Sequence, residues 1–348
     1  MQKNAKTVNL SLQVLPLNHP DSYPLIREAI RVIEASGVKH RVQPFSTVME
    51  GPMDVLWPVV EKARKAVEKA GGREVILNIQ IHTKASDDVR FEDKTGVLRP
   101  LVVIPARYAS VRFPGKPLAL LGDKPVIQRV WEQVKMAGDD FEVIVATDDE
   151  RILTEVERFG GCAELTDASH LSGTDRCAEV AARHSKYGVI INVQGDEPFI
   201  RPEQVRTVID LLQMQKFSIA TLAKPIHDAT HLSNPNVVKV VVGQASQALY
   251  FSRHPIPYLR DSTADTWIDS GRHLQHLGIY GFRRKTLLEI NQLPESPLET
   301  AEKLEQLRWL DHGYRIGVGM TDWSGPGIDT PDNLKEAGEF LGRSADGV

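Results

Sequence analysis

Cysteine is scarce in this chain: its 348 residues include only Cys162 and Cys177. Two thiols cannot form a disulfide framework or a four-thiolate zinc site. Long hydrophobic runs are lacking as well, because no apolar stretch approaches the ~18 residues of a membrane span and the N-terminus has no apolar core of the signal-peptide kind. We therefore expect a soluble, cytoplasmic protein without membrane insertion.

An excess of basic residues is also missing. The chain has 42 Lys and Arg against 46 Asp and Glu, a formal net charge of −4. Neutralising nucleic-acid phosphates needs a strong basic excess, so we expect no nucleic-acid partner. The absence of a G-x-x-x-x-G-K-[ST] motif argues against a P-loop kinase or ATPase. A content of 41% hydrophobic and 25% charged residues is typical of a globular protein.

The length predicts two domains, since one domain typically spans ~150 residues. Residues 84–96 are rich in charge and poor in bulky apolar side chains, which is typical of a linker. We therefore predict a first domain at residues 1–84, a linker at 85–98 and a second domain at 99–348.

The first domain has the predicted element order strand, helix, strand, strand, helix, strand. Asn9 to Leu15 alternates polar and apolar residues as a half-buried strand does, and Pro16 is expected to end it. Asp21 or Ser22 can cap the helix that follows. This order predicts a small α+β domain of ferredoxin-like type.

The second domain begins with Leu101 to Ile104, a continuous apolar run that predicts a strand buried on both faces. Strands and helices then alternate, including a predicted helix from Asp175 to His184. This alternation predicts an α/β fold with a doubly wound, mostly parallel sheet. Ligands of such sheets bind beyond the carboxyl ends of the strands, so the loops after Ile104, Ala146 and Val193 are where we expect chemistry.

Residues 105–117, PARYASVRFPGKP, follow the first of these strands and contain no acidic residue. Arg107, Arg112 and Lys116 supply cations, and the prolines stiffen the loop. A polyphosphate needs point charges and backbone N–H groups at such a place. The alternative interpretation is a basic surface loop.

Two further loops carry carboxylates. In NVQGDEPFI (192–200), Asp196 and Glu197 follow a buried strand, and such adjacent carboxylates could hold Mg²⁺, which takes one or two protein carboxylates and fills its shell with phosphates and water. In GIDTPDNL (327–334), Thr330 can cap a helix, which presents Asp329 just before the helix begins. A solvated turn or helix cap is the alternative for either loop.

The remaining polar motifs place single polar residues among apolar neighbours, and for each residue alone a structural role is the simpler interpretation. These motifs are HLSGTDR (170–176), ALYFSRHPIP (248–257), HLGIYGF (276–282) and LEQLRWL (304–310). Taken together with the three loops above, and in this order, they closely resemble one family, the 3-deoxy-manno-octulosonate (Kdo) cytidylyltransferases. The resemblance covers about residues 100–342. It departs from the family pattern at Val111, where we would expect Thr.

The resemblance implies that CTP and Kdo react to give CMP-Kdo, for lipopolysaccharide biosynthesis, and pyrophosphate. Arg107 and Lys116 would hold the triphosphate, with Asp196 and Asp329 as catalytic ligands of Mg²⁺. Arg112 and the segment Ser172–Arg176 would bind the nucleotide, including Ser172 and Arg176 themselves. The residues implied to line the sugar pocket are Gln194, Arg253, His276, Tyr280, Glu305 and Gln306, with Arg253 as the partner of the sugar carboxylate.

The first domain resembles a second family, the small YkoF-like thiamine-binding domains. SLQVLP (11–16) and SGVKHRVQPFSTVMEG (36–51) carry this resemblance. It implies an oligomerisation or regulatory module, which could extend to a homotetramer the homodimer that the first resemblance implies. Two alternatives stay open: transfer of CMP to a related ulosonic acid, such as 8-amino-Kdo or a sialic-acid-like sugar, or a regulatory protein that binds thiamine or a pyrimidine.

Overall fold

The computed structural model describes residues 6–85, 88–89, 98–110, 112–214 and 216–345. The chain divides into two compact units, Met1–Val97 and Leu98–Val348. Most of the predicted linker lies outside the described residues, as does Val111. No helix in the described ranges is both long and apolar enough to cross a bilayer.

The first unit is a four-stranded antiparallel sheet with two helices, as the sequence predicted. The sheet order is β2-β3-β1-β4, the order of a ferredoxin-like fold. Its elements are β1 (Thr7–Leu17), α1 (Tyr23–Ala35), β2 (Lys39–Val42), β3 (Thr47–Pro52), α2 (Met53–Lys69) and β4 (Glu74–His82). Alternate residues of β1, among them Leu10 and Leu12, are buried in the core beneath the helices.

Strand β1 does not end before Pro16, as expected, but continues to Leu17. On one side β1 pairs with β3 only as far as Leu12, while on the other side it pairs with β4 along its whole remaining length. Beyond Leu12 it is therefore an edge strand. A proline is tolerated at such a position because one side of the strand needs no donor.

Two residues of the predicted linker, Asp88 and Val89, belong to the first unit. The backbone N–H of Val89 donates to the Thr7 carbonyl at 2.9 Å, and Asn9 Nδ2 donates to the Val89 carbonyl at 2.9 Å. The side chain of Val89 is fully buried. Val89 therefore packs on β1 although it lies beyond the predicted end of the first domain at residue 84.

The second unit has the predicted doubly wound α/β architecture. Its strands are β5 (Pro100–Ala106), β6 (Leu120–Leu121), β7 (Lys124–Pro125), β8 (Glu142–Thr147), β9 (Cys162–Leu165), β10 (Val189–Asn192), β11 (Ile219–Pro225), β12 (Lys239–Val242), β13 (Ala248–Ser252), β14 (Leu274–Arg283) and β15 (Ile316–Met320). Its helices are α3 (Val126–Met136), α4 (Glu150–Arg158), α5 (Gly173–Arg183), α6 (Pro202–Gln213), α7 (Ala229–Ser233), α8 (Arg284–Ile290), α9 (Pro297–Glu302), α10 (Glu305–Asp311) and α11 (Pro331–Ala345).

The main sheet has the order β13-β12-β14-β10-β5-β8-β9, and β11 joins β14 to β15. Strands β10, β5, β8 and β9 are parallel neighbours, whereas β14 is antiparallel to β10. Both faces are covered, because Leu101 and Val103 face one hydrophobic cluster and Val102 and Ile104 face the other. This explains the continuous apolar run of β5.

The carboxyl ends of the four parallel strands lie side by side at one edge of the sheet. The loops that leave this edge begin at Val193 after β10, Arg107 after β5, Asp148 after β8 and Thr166 after β9. Neighbouring strands are about 4.8 Å apart, so these loops form a row in the same order as their strands. The row is the scaffold of the site described next.

Candidate active site

The loop after β5 carries the cations and turns sharply at Gly115. Gly115 has φ = +71°, and a Cβ atom there would lie 3.1 Å from the ring of Tyr108. Its N–H donates to the Tyr108 carbonyl at 2.9 Å, which closes the loop. A glycine is needed for this backbone conformation. The turn leads directly into a short 3₁₀ helix that begins at Lys116.

Lys116 is the contact point of two carboxylates that lie about 130 positions apart in the sequence. Its Nζ donates to Asp196 Oδ2 at 2.5 Å and to Asp329 Oδ1 at 3.3 Å. Arg112 Nη2 also pairs with Asp329 Oδ1, at 3.0 Å. The structure thus brings together the cations and carboxylates that the sequence placed in three separate loops.

Backbone contacts bring the two carboxylate loops together. The N–H of Ile328 donates to the carbonyl of Asp196 at 3.0 Å. Asp329 precedes α11, where the Asn333 N–H donates to Thr330 Oγ1 at 3.2 Å, so the predicted cap is present. A Cβ atom at Gly195 would lie 2.7 Å from the Pro105 carbonyl, so this glycine allows the loop after β10 to approach β5.

The two carboxylates fit a magnesium ion. In the described part of the chain, no group of three or more His, Cys, Asp and Glu side chains is arranged for a metal. Asp196 and Asp329 supply hard oxygen donors, and both already contact one cationic group, the Lys116 ammonium. Mg²⁺ binds through one or two carboxylates when phosphates and water complete its shell, so a pair is sufficient.

These residues line a cavity of about 270 Å³, here called the charged cavity. It contains eight of the side chains that were predicted to bind substrate or metal: Arg107, Arg112, Lys116, Ser172, Arg176, Gln194, Asp196 and Asp329. The predictions of their individual roles stay predictions.

The segment Ser172–Arg176 enters the charged cavity as the first turn of α5. Ser172 Oγ accepts from the Asp175 N–H at 3.1 Å, and Asp175 Oδ2 accepts from the Ser172 N–H at 2.9 Å. This capping box starts the helix at Gly173, two residues earlier than predicted. The Arg176 side chain is 2% exposed and pairs with Asp148 Oδ2 at 2.6 Å. Asp148 was not among the residues predicted from the sequence.

A second cavity, of about 330 Å³, shares Gln194 with the first and is here called the neutral cavity. Among the described residues that line it there is no Lys or Arg. Its polar groups include Gln194, Glu197, Gln204, Asn236, Gln275, His276 and Ser324. Of these, only Gln194 and His276 were predicted to bind the sugar.

The two ionisable groups of the neutral cavity are both held in their uncharged forms at neutral pH. Burial, together with the nearby carboxylates of Asp196 and Asp329, raises the pKa of Glu197 to about 8. Burial lowers the pKa of His276 to about 3. His276 Nε2 is 3.0 Å from Thr221 Oγ1. The cavity therefore offers neutral donors and acceptors.

Three predicted sugar residues, Tyr280, Glu305 and Gln306, do not line either cavity. Glu305 accepts from Thr174 Oγ1 at 2.7 Å and from Ser172 Oγ at 3.4 Å, so it supports the start of α5. Burial raises the pKa of the Glu305 carboxyl and also that of the Tyr280 phenol. Tyr280 and Gln306 are buried. A direct role in sugar binding stays a prediction for these three residues.

Arg253 donates to backbone carbonyls and lies outside the lining of both cavities. Its guanidinium donates to Glu302 at 2.7 Å and Lys303 at 3.3 Å, between α9 and α10, and to Pro235 at 3.0 Å, between α7 and β12. A direct contact with the sugar carboxylate stays a prediction for this residue.

Comparison with known proteins agrees with this geometry. Residues 101–316 match the family model for cytidylyltransferases, and residues 10–99 match that for thiamine-binding proteins. A solved structure described as CMP:2-keto-3-deoxy-manno-octonic acid synthetase complexed with CTP is 43% identical, with a TM-score of 0.66 over 71% of this chain and 99% of that one. The fold and the charged cavity thus define a cytidylyltransferase.

Curated relatives show which kind of cytidylyltransferase the chain resembles. A 3-deoxy-manno-octulosonate cytidylyltransferase from Parabacteroides distasonis is 50% identical over 244 residues, which cover 69% of this chain and 96% of the relative. One from Bacteroides thetaiotaomicron is 49% identical over 245 residues, or 69% and 97% of the two chains. The chain belongs to the 3-deoxy-manno-octulosonate cytidylyltransferase family, and the first resemblance drawn from the sequence is confirmed. The thiamine-binding match confirms the second.

Proposed function

We propose that the second unit transfers CMP from CTP to Kdo, giving CMP-Kdo and pyrophosphate. The observation that carries the proposal is the convergence of Lys116, Asp196 and Asp329 at the carboxyl edge of the sheet. A cation between two carboxylates, beside further arginines, is the environment that a nucleoside triphosphate and a divalent metal need. The family of the chain supports CTP and Kdo as the two substrates.

In this reaction the anomeric hydroxyl of the sugar attacks the α-phosphorus of CTP. An O–P bond forms, the bond to the oxygen that bridges the α- and β-phosphates breaks, and its electron pair leaves with pyrophosphate while the hydroxyl gives up its proton. Arg107, Arg112 and Lys116 would neutralise the triphosphate and the leaving group. Mg²⁺ held by Asp196 and Asp329 would supply Lewis-acid stabilisation of the charge on the phosphates.

The two cavities suit the two substrates. The charged cavity supplies the cations for the triphosphate, while the neutral cavity supplies amides, a hydroxyl and a neutral imidazole for sugar hydroxyls. Gln194 lines both cavities, and Asp196 in the charged cavity is next to Glu197 in the neutral one. The reacting hydroxyl and the α-phosphate would therefore meet near the loop after β10.

Pyrophosphate release from CTP and Mg²⁺ in the presence of different sugar acids tests this proposal. We expect release with Kdo and much slower release with a sialic acid. Comparable kcat/KM values for Kdo and 8-amino-Kdo would assign the amino analogue as a substrate as well. No release with any ulosonic acid would overturn the proposal.

For the first unit we propose a regulatory or assembly role. It has its own cavity of about 390 Å³ between α1 and the sheet, lined by apolar residues such as Leu12 and Ile30 with Gln43 and Ser46 at the polar side. The match to thiamine-binding proteins supports thiamine or a pyrimidine as its ligand. Titrating the full chain with thiamine by calorimetry, and repeating the pyrophosphate assay with thiamine present, tests both binding and regulation.

We further propose that the protein works in the cytoplasm, in lipopolysaccharide biosynthesis, as a homodimer or homotetramer. The family membership supports the biosynthetic role, and the first unit could extend a dimer to a tetramer. Light scattering of the full chain, compared with the second unit alone at 99–348, measures the assembly. A monomeric full chain at micromolar concentration would contradict this part of the proposal.

A further inference from the structure

The order of the parallel strands orients the nucleotide in the charged cavity. The carboxylates Asp196 and Asp329 meet at the loop after β10, and Arg107 begins the loop after β5. The next two loops in the row follow β8 and β9. Because the phosphates belong with the cations and the metal ligands, the nucleoside must extend along the row toward β8 and β9, two to three strands or roughly 10 to 14 Å away.

One cation lies at that far end of the charged cavity, and it is Arg176. Its Nη2 donates to Asp148 Oδ2 at 2.6 Å, at the start of the loop after β8. Its Nη1 donates to Thr166 Oγ1 at 2.7 Å and to the Asp167 carbonyl at 3.4 Å, in the loop after β9. A side chain that is 2% exposed and bonded to two neighbouring loops has a fixed orientation.

The Asp148 carboxylate also cancels the charge of this arginine. The Arg176 guanidinium is therefore a directional donor and adds little net charge for the phosphates. A guanidinium has five N–H donors, and the three hydrogen bonds above leave further N–H groups for a ligand in the cavity. Asp148 Oδ1 is buried without a partner among the described residues, which is rare for a carboxylate that serves only the fold.

We propose that the Asp148–Arg176 pair selects cytosine over uracil, with Arg176 as the group that reads the base and Asp148 as the residue that positions it. Cytosine presents two adjacent acceptors, O2 and N3, which match the parallel N–H groups of a guanidinium. Uracil carries a hydrogen on N3, so its donor would face the donors of Arg176. A site built to donate to N3 therefore rejects uracil.

This inference rests on the proposed cytidylyl transfer and adds the residue that controls the choice of nucleotide. The experiment measures kcat/KM for CTP and UTP with Kdo and Mg²⁺, in wild type, Asp148→Ala and Asp148→Asn. We expect the CTP-to-UTP ratio to fall roughly ten- to hundred-fold in Asp148→Ala, since a good bidentate base contact discriminates by about that factor. Asp148→Asn keeps an acceptor for Arg176 and should recover part of the ratio.

Asp149→Ala is the matched control. Asp149 is the next residue along the chain, and its Oδ1 accepts from the Arg151 N–H at 2.9 Å as the cap of α4. This substitution removes the same charge one position away and weakens a helix cap, but it leaves the hydrogen bonds of Arg176 in place. We expect lower thermal stability with an unchanged CTP-to-UTP ratio.

Several outcomes separate the possibilities. If Asp148 were only structural, Asp148→Ala would lower kcat/KM for both nucleotides equally, and an unchanged ratio overturns the inference. If Asp148→Ala does not fold, Asp148→Asn takes its place. Its CTP-to-UTP ratio is then compared with that of the wild type, and calorimetry without sugar measures the affinities of both proteins for CTP and UTP. Failure of the wild type to release pyrophosphate from CTP would instead overturn the proposed function, whatever the variants do.

Discussion

The charged and the neutral cavity are neighbours of similar size, about 270 and 330 Å³, but they treat charge in opposite ways. In the charged cavity Lys116 and Arg112 pair with Asp196 and Asp329. In the neutral cavity the ionisable groups Glu197 and His276 are shifted to their uncharged forms. Adjacent loops of one sheet edge thus build two different electrostatic environments.

The difference shows how the enzyme would avoid binding either substrate in the wrong place. A triphosphate loses its hydration shell only where cations and a metal replace it, and the neutral cavity has no Lys or Arg among its described lining residues. The hydroxyl groups of a sugar need hydrogen-bond donors and acceptors, and the neutral cavity supplies those. The following predictions test this division, from the largest expected effect to the smallest.

Removing one of the two carboxylates proposed to bind Mg²⁺ should have the largest effect. Asp329→Asn or Asp196→Asn is expected to lower kcat by roughly a thousand-fold or more while the fold stays intact, because the metal would lose one of its two protein ligands. Steady-state kinetics at saturating Mg²⁺ measures this. Asp332→Asn, on the exposed first turn of α11, is the control and should keep wild-type activity. Near-normal turnover in Asp329→Asn would remove that residue from the metal site.

Lys116→Ala should act mainly on the nucleotide. We expect kcat/KM for CTP to fall roughly a hundred-fold, since one desolvated charge contact to the triphosphate is lost, while the KM for Kdo changes little. Lys116→Arg should recover part of the loss. Lys335→Ala, on the exposed surface of α11, is the control for a lost surface charge. Unchanged CTP kinetics in Lys116→Ala would contradict its assignment to the phosphates.

A substitution in the neutral cavity should reverse this pattern. Gln275 Oε1 is buried with no partner among the described residues, and its side chain lines the neutral cavity, so it is an acceptor suited to a sugar hydroxyl. Gln275→Leu is expected to raise the KM for Kdo about ten-fold without raising the KM for CTP. Its thermal stability should not fall, because an unpaired buried acceptor is removed. A larger effect on CTP than on Kdo would break the division between the cavities.

The last prediction concerns the pH dependence of stability, and not turnover, and it arises from Glu197. Its pKa is about 8 in the folded protein against an ordinary value of 4.5, so the folded chain keeps a proton that the unfolded chain has lost between these values. The contribution of Glu197 to the free energy of unfolding therefore has its full value below pH 4.5. As the pH rises toward 8, the free energy of unfolding falls by about 1 kcal/mol per pH unit relative to that of Glu197→Gln. Urea unfolding of metal-free protein at several pH values measures this. Parallel curves for the two proteins would contradict the raised pKa.

The fold and the charged cavity follow from sequence patterns because each has a local cause. The apolar run of β5 reflects burial on both faces, and a loop at a carboxyl strand end must lie at the edge where the other loops gather. Lys116 and Asp196 each lie in a loop after a recognisable strand end, so the sequence places both at this edge, whereas the meeting of Asp196 with Asp329 was implied only by the resemblance to the family. Their contacts through one ammonium confirm that they come together.

The neutral cavity could not be predicted in the same way. Asn236 and Gln275 have no local signal, because they become cavity residues only where β12 and β14 pair at a distance in sequence. The backbone carbonyls that Arg253 contacts could not be predicted either, because two of them, Glu302 and Lys303, lie about 50 positions away in the sequence. Asp148 does lie at one of the predicted strand ends. It was not predicted because its partner, the Arg176 guanidinium, belongs to a different motif.

The hydrogen bond from Ile328 to the Asp196 carbonyl has a consequence for how the enzyme matures. The stretch of chain between these residues contains α6 to α10 and β11 to β15, so the paired carboxylates exist only after half of the sheet has assembled. A truncated chain that ends before residue 329 would keep Lys116 and Asp196 but lack the Asp329 carboxylate. The proposed metal site would therefore be completed only by the last helix, α11, that follows Asp329.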